Sequence, residues 1–325
     1  MRTRHIIISV FGGLVAIGLV MFLWYVRSSA SEAASRRVVS EQTVSRDAGT
    51  FRILFGGDMM FDRWIREMTA KKGNGFVFNG VRTEILAHDM TVANLEGPIT
   101  NAVSTSIGSE IGSSENYHFT FDPRWATTLA TEKIGPVNLG NNHISNQGTP
   151  GIAETKQYLS QAGVTFFGDP TSDDRISIRT ISDTKIAFVN YDAFAYKGKE
   201  KAFADITKAR GEADIVILYA HWGLEYLPVQ DDIRTLAHSF IEAGCDAIIG
   251  SHPHIVQETE TYNDKTIYYS LGNFIFDQYG DENTKNGLLV SMTVDMTTKN
   301  LSFRDIPIIM NQDGSTWIKG RDGRK

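Results

Sequence analysis

Cysteine is nearly absent from this chain, in which Cys245 is the only one among 325 residues. A single cysteine excludes an intramolecular disulfide. Cys245 leads into an apolar stretch, and its sequence neighbours offer no base that would lower the pKa of the thiol. We therefore expect a small buried side chain rather than a nucleophile.

The chain also lacks an excess of positive charge, with 32 Lys and Arg against 38 Asp and Glu. Residues 1–27 hold three arginines and no acid, so the remaining chain has 29 basic against 38 acidic residues, a net charge of −9. Proteins bind nucleic acids through basic faces, so this acidic body argues against DNA or RNA as a partner. With 42% hydrophobic residues, the chain can form one sizeable core.

Charge is missing altogether from residues 6–26, an apolar run that follows Arg2 and Arg4 and ends near Trp24 and Tyr25. About 20 such residues span a bilayer as a helix, and aromatic residues belong at its interface. We predict a single-pass membrane anchor at 1–27, a flexible linker at 28–50 and an extracytoplasmic body. A cleaved signal peptide ending near residues 28–30 is the alternative, and it also exports the body.

From residue 51 onwards, apolar segments rich in β-branched residues alternate with helical ones. The predicted strands are 51–56, 90–95, 135–140, 164–168, 176–181, 185–191, 214–221, 246–251, 255–261, 266–270, 287–295 and 301–308. The predicted helices are 61–71, 78–88, 123–132, 150–162, 200–211 and 231–243. This pattern indicates an α/β domain at 51–310, with a helix-covered mixed sheet, a second sheet and a polar tail at 311–325.

Polar side chains follow five of the predicted strands at the points where the strands end, and glycine stands near each of them. They are Asp58, Glu96, Asn142 with His143, His221, and His252 with His254. Ligands bind at the carboxyl ends of strands in open α/β sheets, so these side chains are candidates for one shared site.

Carboxylates and imidazoles are the donors that zinc, manganese and iron prefer. The set exceeds what one ion needs, and it favours two divalent ions that activate water and bind a substrate oxygen. Each residue also has an ordinary structural interpretation. A single histidine at a strand end often satisfies a hydrogen bond, and Asp58, Glu96 or Asn142 alone could cap a turn. The coincidence of five strand ends favours the shared site.

Other residues are candidates for a supporting role. Arg63 could bind a substrate phosphate or carboxylate, or be an exposed helix residue. Glu225 could orient an imidazole or face solvent. Asn94, just before Glu96, and Asn273, after a glycine that breaks a strand, could bind the ligands or the substrate. The polar stretch 101–118 is either a lid beside the site or a plain surface loop.

Taken in order, these segments resemble the CapA family of capsule and poly-γ-glutamate synthesis proteins. The matching motifs are Gly57-Asp58 with Arg63, residues 94–99 (NLEGPI), 141–143 (NNH), 221–226 (HWGLEY), 250–257 (GSHPHIVQ) and 270–278 (SLGNFIFDQ). The resemblance covers about residues 51–310, and the anchored N-terminus is similar to that family too.

The family is similar to calcineurin-like metallophosphoesterases, which implies a four-layer α/β/β/α sandwich with a dinuclear metal site. Carried over by motif, the ligands are Asp58, Glu96, Asn142, His221, His252 and His254. His143 matches the general acid or transition-state stabiliser, and Arg63 is the second predicted catalytic residue. The family usually has an aspartate three residues after that histidine, whereas Asn146 stands here, so the charge state and orientation of His143 are open.

The expected function is a membrane-anchored enzyme of metal-dependent hydrolase type, containing Mn, Zn or Fe, in the synthesis of an anionic capsule polymer such as poly-γ-glutamate. Expected partners are the membrane, the polymer or its precursor, and membrane synthase subunits. Two alternatives are a non-catalytic accessory subunit of such a synthase and a secreted general phosphoesterase.

Overall fold

The computed structural model describes residues 49–173 and 175–321. These ranges belong to one compact unit, Asp47–Lys325. The predicted anchor and residues 28–48 of the predicted linker lie outside them. Among the helices in the described ranges, none has both the length and the apolar character needed to span a bilayer.

Strands and helices follow one another along the described chain in this order. They are β1 (Thr50–Met59), α1 (Arg63–Lys72), a 3₁₀ helix (Asn74–Phe78), α2 (Arg82–Ala87), β2 (Met90–Leu95), a 3₁₀ turn (Glu115–Tyr117), α3 (Arg124–Thr131), β3 (Ile134–Asn138), α4 (Gly148–Gln161), β4 (Phe166–Phe167), β5 (Ser177–Ile181), β6 (Thr184–Asp192), α5 (Gly198–Glu212), β7 (Ile215–His221), α6 (Asp231–Ala243), β8 (Ala247–Ser251), β9 (Thr259–Tyr262), β10 (Lys265–Tyr268), β11 (Asn273–Ile275), α7 (Glu282–Lys285), β12 (Asn286–Asp295), β13 (Leu301–Met310) and β14 (Thr316–Ile318).

The strands form two sheets. The first has the order β14-β13-β12-β1-β2-β3-β4, with β11 also paired to β1, and the second has the order β5-β6-β7-β8-β10-β9. In the first sheet β1, β2, β3 and β4 are parallel, and in the second β6, β7 and β8 are parallel. Parallel neighbours end at the same edge of their sheet, and this arrangement collects the polar strand ends.

Successive residues of β1 explain how the sheets pack. Ile53 and Phe55 join an apolar cluster that includes Ile217 of β7 and Ile249 of β8, so this cluster lies between the sheets. Leu54 points the other way, into a cluster shared with helices α1, α3 and α4. Because side chains alternate along a strand, a strand that is buried on both faces reads as a continuous apolar run.

The outer face of the second sheet is covered by α5 and α6. Ala237, Phe240 and Ile241 of α6 pack there with Ile206 of α5. Helix α6 carries two acids in its first turn and ends at Gly244, whose φ is 124°. Acidic residues at the start and a glycine with positive φ at the end are favourable helix boundaries. The fold is therefore a mixed α/β fold with two facing sheets, as the sequence predicts.

The structure departs from the predicted elements at several points. Strand β1 continues to Met59, beyond the predicted end at residue 56, because the unpredicted strand β11 pairs beside Asp58 and Met59. The predicted helix 78–88 begins only at Arg82, after a 3₁₀ helix. Strand β14 lies within the segment predicted as a polar tail and pairs with β13.

Candidate metal centre

All six predicted ligands lie at the carboxyl-end edge of the two sheets. Asp58 belongs to β1, Glu96 follows β2, Asn142 follows β3, His221 ends β7, and His252 and His254 follow β8. Five of them are buried, and Asn142 is half-buried. The contacts described below join them into one cluster, so strand ends far apart in sequence converge in space.

Asp58 lies at the middle of the cluster. Its Oδ1 accepts a hydrogen bond from Asn94 Nδ2 at 2.9 Å, and its Oδ2 accepts one from the backbone N–H of His252 at 3.1 Å. Oδ1 is 3.9 Å from His221 Nδ1, and Oδ2 is 3.6 Å from His254 Nδ1. The two oxygens therefore face two different histidines.

Glu96, His221 and His252 form the tightest group of possible metal donors in the described ranges, with one ligand atom from each lying within 4.8 Å of the others. Glu96 Oε1 and His252 Nδ1 are buried and have no hydrogen-bond partner. An unsatisfied buried polar atom costs about 1–3 kcal/mol, so two in one cluster require an explanation. A cation held among the three side chains would satisfy both atoms, and the donor set fits zinc, manganese or iron.

Asn142 and Asn273 hold the histidines of the cluster from two sides. Asn142 Oδ1 lies 2.9 Å from His221 Nε2, and Asn273 Oδ1 lies 2.9 Å from His254 Nδ1. An amide oxygen can only accept, so His254 donates from Nδ1 and keeps the lone pair on Nε2. Fixing one ring nitrogen in this way orients the other towards a metal.

Sequence reasoning missed three supporting residues. Ser251 Oγ lies 3.0 Å from His221 Nδ1 and 3.2 Å from the backbone oxygen of Ala220. The amide groups of Asn138 and Asn141 donate to Asn94 Oδ1 at 2.9 and 3.1 Å, which aims the Asn94 amide at the carboxylates. The sequence signals were the asparagines at both ends of the β3 turn and the serine directly before His252.

Burial dominates the electrostatics of the cluster. It raises the pKa of Asp58 to about 7 and lifts the pKa of Glu96 well above its ordinary value, with repulsion between the two carboxylates adding to the effect on Glu96. It lowers the pKa of His252 to about 4, that of His254 to about 3 and that of His221 well below its ordinary value. A divalent cation binds carboxylates and neutral imidazoles. A bound ion would therefore favour the ionised form of both acids, and the histidines are already in the neutral form that it needs.

These shifts predict how the stability of the metal-free chain depends on pH. Between about pH 4 and 6.5 the unfolded histidines bind protons that the folded ones do not, so their contribution to stability rises with pH. Folded Asp58 keeps its proton up to about pH 7, whereas the unfolded group loses it near 3.8, so its contribution falls with pH over that window. The histidines outnumber the carboxylates, so we expect a net rise up to about pH 6.5.

Thermal denaturation in the presence of a chelator measures this effect. Replacing His252 with glutamine should flatten the rise of the melting temperature between pH 4.5 and 6.5, because one group whose pKa is lowered to about 4 is removed. The substitution His238→Gln is the matched control, since His238 is a partly buried histidine on α6 that is paired with Glu260 of β9. Equal slopes for the two variants would contradict the assigned burial.

His143 lies beside the cluster and makes its own contacts. Asn146 Oδ1 accepts from His143 Nδ1 at 3.2 Å and from the backbone N–H of Phe119 at 2.8 Å. The Phe119 ring lies 4.4 Å from the imidazole. Burial lowers the pKa of His143 to about 4. At neutral pH the ring is therefore uncharged, with the proton on Nδ1 and the lone pair on Nε2.

Arg63 and Glu225 lie further from the donors. Arg63 forms an ion pair with Asp277, and its guanidinium lies 5.2 and 5.4 Å from the Phe119 and Phe276 rings. These rings contact His143 and His254 respectively, so one layer of aromatic side chains connects Arg63 to the cluster. Glu225 is exposed, and its charge adds to the raised pKa of Asp58 and Glu96.

Comparison with known proteins places this geometry in a family context. Residues 52–278 match the family described as "Bacterial capsule synthesis protein PGA_cap", a range that holds every candidate site residue. The chain is 28% identical over 309 residues to the "PGA biosynthesis protein CapA" of Bacillus subtilis, covering 88% of this chain and 76% of that protein. It is 28% identical over 302 residues to the "Capsule biosynthesis protein CapA" of Bacillus anthracis, covering 85% and 70%. A "Probable polyglutamine synthesis accessory protein" of Mycobacterium tuberculosis is 24% identical over 227 residues, covering 61% and 58%.

Proposed function

The chain belongs to the bacterial capsule synthesis protein family PGA_cap, and we propose that it is a metal-dependent enzyme of hydrolase type that acts in the synthesis of a poly-γ-glutamate capsule. The observation that carries the proposal is the buried group of Glu96, His221 and His252, in which two polar atoms lack partners. The names of the Bacillus relatives suggest the polymer, and the donor set suggests the chemistry.

The proposed centre holds two divalent ions, of Mn, Zn or Fe, in a four-layer α/β/β/α sandwich of the metallophosphoesterase type. The ligands of one ion would be Glu96, His221, His252 and Asn142, and His254 would be a ligand of the other. Asp58 would be a ligand of both, because its two oxygens face two different histidines. Ions held there would supply a Lewis acid that lowers the pKa of water and polarises the bond under attack.

The protein's own side chains would contribute orientation and proton control. Asn94 and Asn273 hold Asp58 and His254 in place through 2.9 Å hydrogen bonds. His143 carries its proton on Nδ1, held by Asn146, and presents the Nε2 lone pair. It is suited to accept a proton, or to donate only after it is protonated.

Replacing Asn146 with aspartate should keep His143 protonated at higher pH, so that it can act as a general acid near neutrality. A carboxylate can accept both hydrogen bonds that Asn146 accepts, and its charge favours the imidazolium, so the pKa of His143 rises. We expect turnover of a chromogenic phosphodiester with Mn²⁺ to increase about tenfold or more, with the alkaline limb of its pH profile moved to higher pH. Asn146→Ser is the control without charge, and identical pH profiles for both variants would contradict the role of His143.

The proposal places the body on the extracytoplasmic side of the cell membrane, held there by the predicted anchor at 1–27. The uncharged run 6–26 supports this placement. The membrane, the anionic polymer or its precursor, and membrane synthase subunits are the proposed partners. Protease accessibility of the body in intact protoplasts tests the orientation.

One other function has a specific observation in its favour, a non-catalytic accessory subunit of a polymer synthase. The Mycobacterium tuberculosis relative is named as an accessory protein, and Asn146 replaces the acid that would charge His143. The two functions separate experimentally. The metal-loaded full chain should cleave an ester, an amide or a phosphate, whereas co-purification with membrane synthase subunits in the absence of any turnover would favour the accessory role.

A further inference from the structure

A cavity of about 730 Å³ opens next to the metal centre. Ile255, which follows His254, lines it, and so does Tyr226, whose ring lies 6.0 Å from the His254 imidazole. The polar stretch 101–118 provides another wall through Ile111, Asn116 and Tyr117. The volume is typical of pockets for small ligands or chain ends. The six proposed ligands do not line the cavity themselves, and Ile255 and Tyr226 connect it to His254.

The cavity is acidic. Its ionisable lining comprises Arg63, Glu67, Asp277 and Asp281. Arg63 is neutralised by its ion pair with Asp277, whereas Glu67 and Asp281 form no ion pair within residues 49–173 and 175–321. The lining therefore carries a net charge of −2, which repels carboxylates and attracts cations.

Aromatic side chains form much of the cavity wall, and the polar atoms of two of them are hydrogen-bonded to other parts of the protein. Trp64, Tyr117 and Tyr226 line the cavity and are 40%, 45% and 48% exposed. Trp64 Nε1 donates to the backbone oxygen of Gln312 at 2.7 Å, and Gln278 Nε2 donates to the Tyr226 hydroxyl at 2.8 Å. Lys71, whose ammonium lies 5.7 Å from the Trp64 ring, does not line the cavity. Aromatic faces beside uncompensated carboxylates are the features that recognise organic cations.

We propose that this cavity binds a primary ammonium group and positions the attached molecule at the metal centre. The inference deepens the proposed function, because it assigns the substrate an amino end that is bound next to the reacting site. Two molecules offer this chemistry, the free amino terminus of a γ-glutamyl chain and a free polyamine. In a γ-glutamyl chain the terminal α-carboxylate and the ammonium group share one carbon, so both would enter the cavity, and Arg63 is the cation in the lining that would face the carboxylate.

Binding titrations on the full chain in detergent test the proposal with three probes. These are spermidine, a tetra-γ-glutamyl peptide with a free amino end, and the same peptide N-acetylated. We expect acetylation to weaken peptide binding about tenfold or more, because it removes the cation. Tighter binding of the free peptide than of spermidine identifies the chain end as the ligand, and binding of spermidine alone identifies a polyamine.

Paired variants locate the binding site. The double variant Glu67→Gln and Asp281→Asn keeps side-chain shape, and asparagine still caps α7 as Asp281 does. It should lose about tenfold or more in affinity for the ammonium probes. Glu212→Gln, which removes an exposed acid at the end of α5, should lose nothing. Failure of the wild-type chain to bind either ammonium probe, or unchanged affinity in the double variant, would overturn the proposal.

Binding without turnover separates this inference from the proposed function. The variant Asp58→Asn removes a proposed metal ligand but leaves the cavity lining intact, so its affinity for the ammonium probes should match that of the wild type. If the wild-type chain binds the ammonium probes and cleaves nothing, the enzymatic proposal fails and the binding site stands. If it cleaves substrates equally well with free and acetylated amino ends, the binding site fails and the enzyme stands.

Discussion

We expect Asp58→Asn to abolish metal-dependent turnover and capsule production in cells, while the chain stays folded. Asp58 is the proposed ligand of both ions, and an asparagine cannot supply the negative charge that two cations need between them. The loss should exceed the roughly 10- to 100-fold that removal of an outer-shell partner costs. Because burial raises the pKa of Asp58 to about 7, the wild-type metal-free fold loses stability as the pH rises from about 4 to 7, and the neutral asparagine should avoid that loss, so the variant should be the more stable chain at pH 7.

Two measurements on the same preparations separate chemistry from folding. Turnover with added Mn²⁺ or Zn²⁺ reports the site, and thermal unfolding in chelator reports the fold. Glu132→Gln is the matched control, because Glu132 is a buried acid paired with Arg82 on the helical side of the first sheet. We expect this control to lower stability and to keep turnover. Capsule production by Asp58→Asn cells at the wild-type level would contradict the catalytic assignment.

Gly57→Ala should cause a large loss of stability although it adds only one methyl group. A β-carbon on Gly57 would lie 1.8 Å from the backbone oxygen of Gly272 and 2.9 Å from its carbonyl carbon. Both contacts are with backbone that β11 holds beside β1, so no side-chain rotation relieves them. We expect a loss of about 3 kcal/mol or more in the free energy of unfolding. Displacement of the neighbouring Asp58 should weaken metal binding as well.

Gly211→Ala is the control with the opposite expected sign. Gly211 lies in α5, where an added β-carbon meets no atom within 4 Å. Alanine should therefore stabilise the chain by roughly 0.5–1 kcal/mol through its better helix propensity. Denaturant unfolding of both variants gives the comparison. Equal stability of Gly57→Ala and the wild type would show that β1 and β11 do not approach each other as closely as described.

The polar strand ends could be predicted from sequence for a simple physical reason. A parallel strand buried on both faces is apolar to its end, so a carboxylate or imidazole there stands out, and parallel neighbours bring their ends to one edge. Asp58, Glu96 and His221 were recognisable in this way. The short strands β11 and β14 were not, because three residues show no periodicity and their pairing depends on partners far away in the sequence.

The contacts that orient the donors were also beyond sequence reasoning. Ser251 and Asn141 support His221 and Asn94 through a register that exists only after both sheets form. Arg63 was a plausible substrate-binding residue, but its ion pair with Asp277 joins residues 214 positions apart. The acidic cavity likewise depends on five separate stretches of the chain, 63–67, 106–117, 226, 255 and 277–284, and its charge appears only when their side chains are placed together.

Metal content measured by elemental mass spectrometry on the purified full chain tests the central claim most directly. We expect two divalent ions per wild-type chain, a reduced content in His252→Ala and a full content in the Glu132→Gln control. A metal-free wild-type chain that takes up no Mn, Zn or Fe after reloading would contradict it.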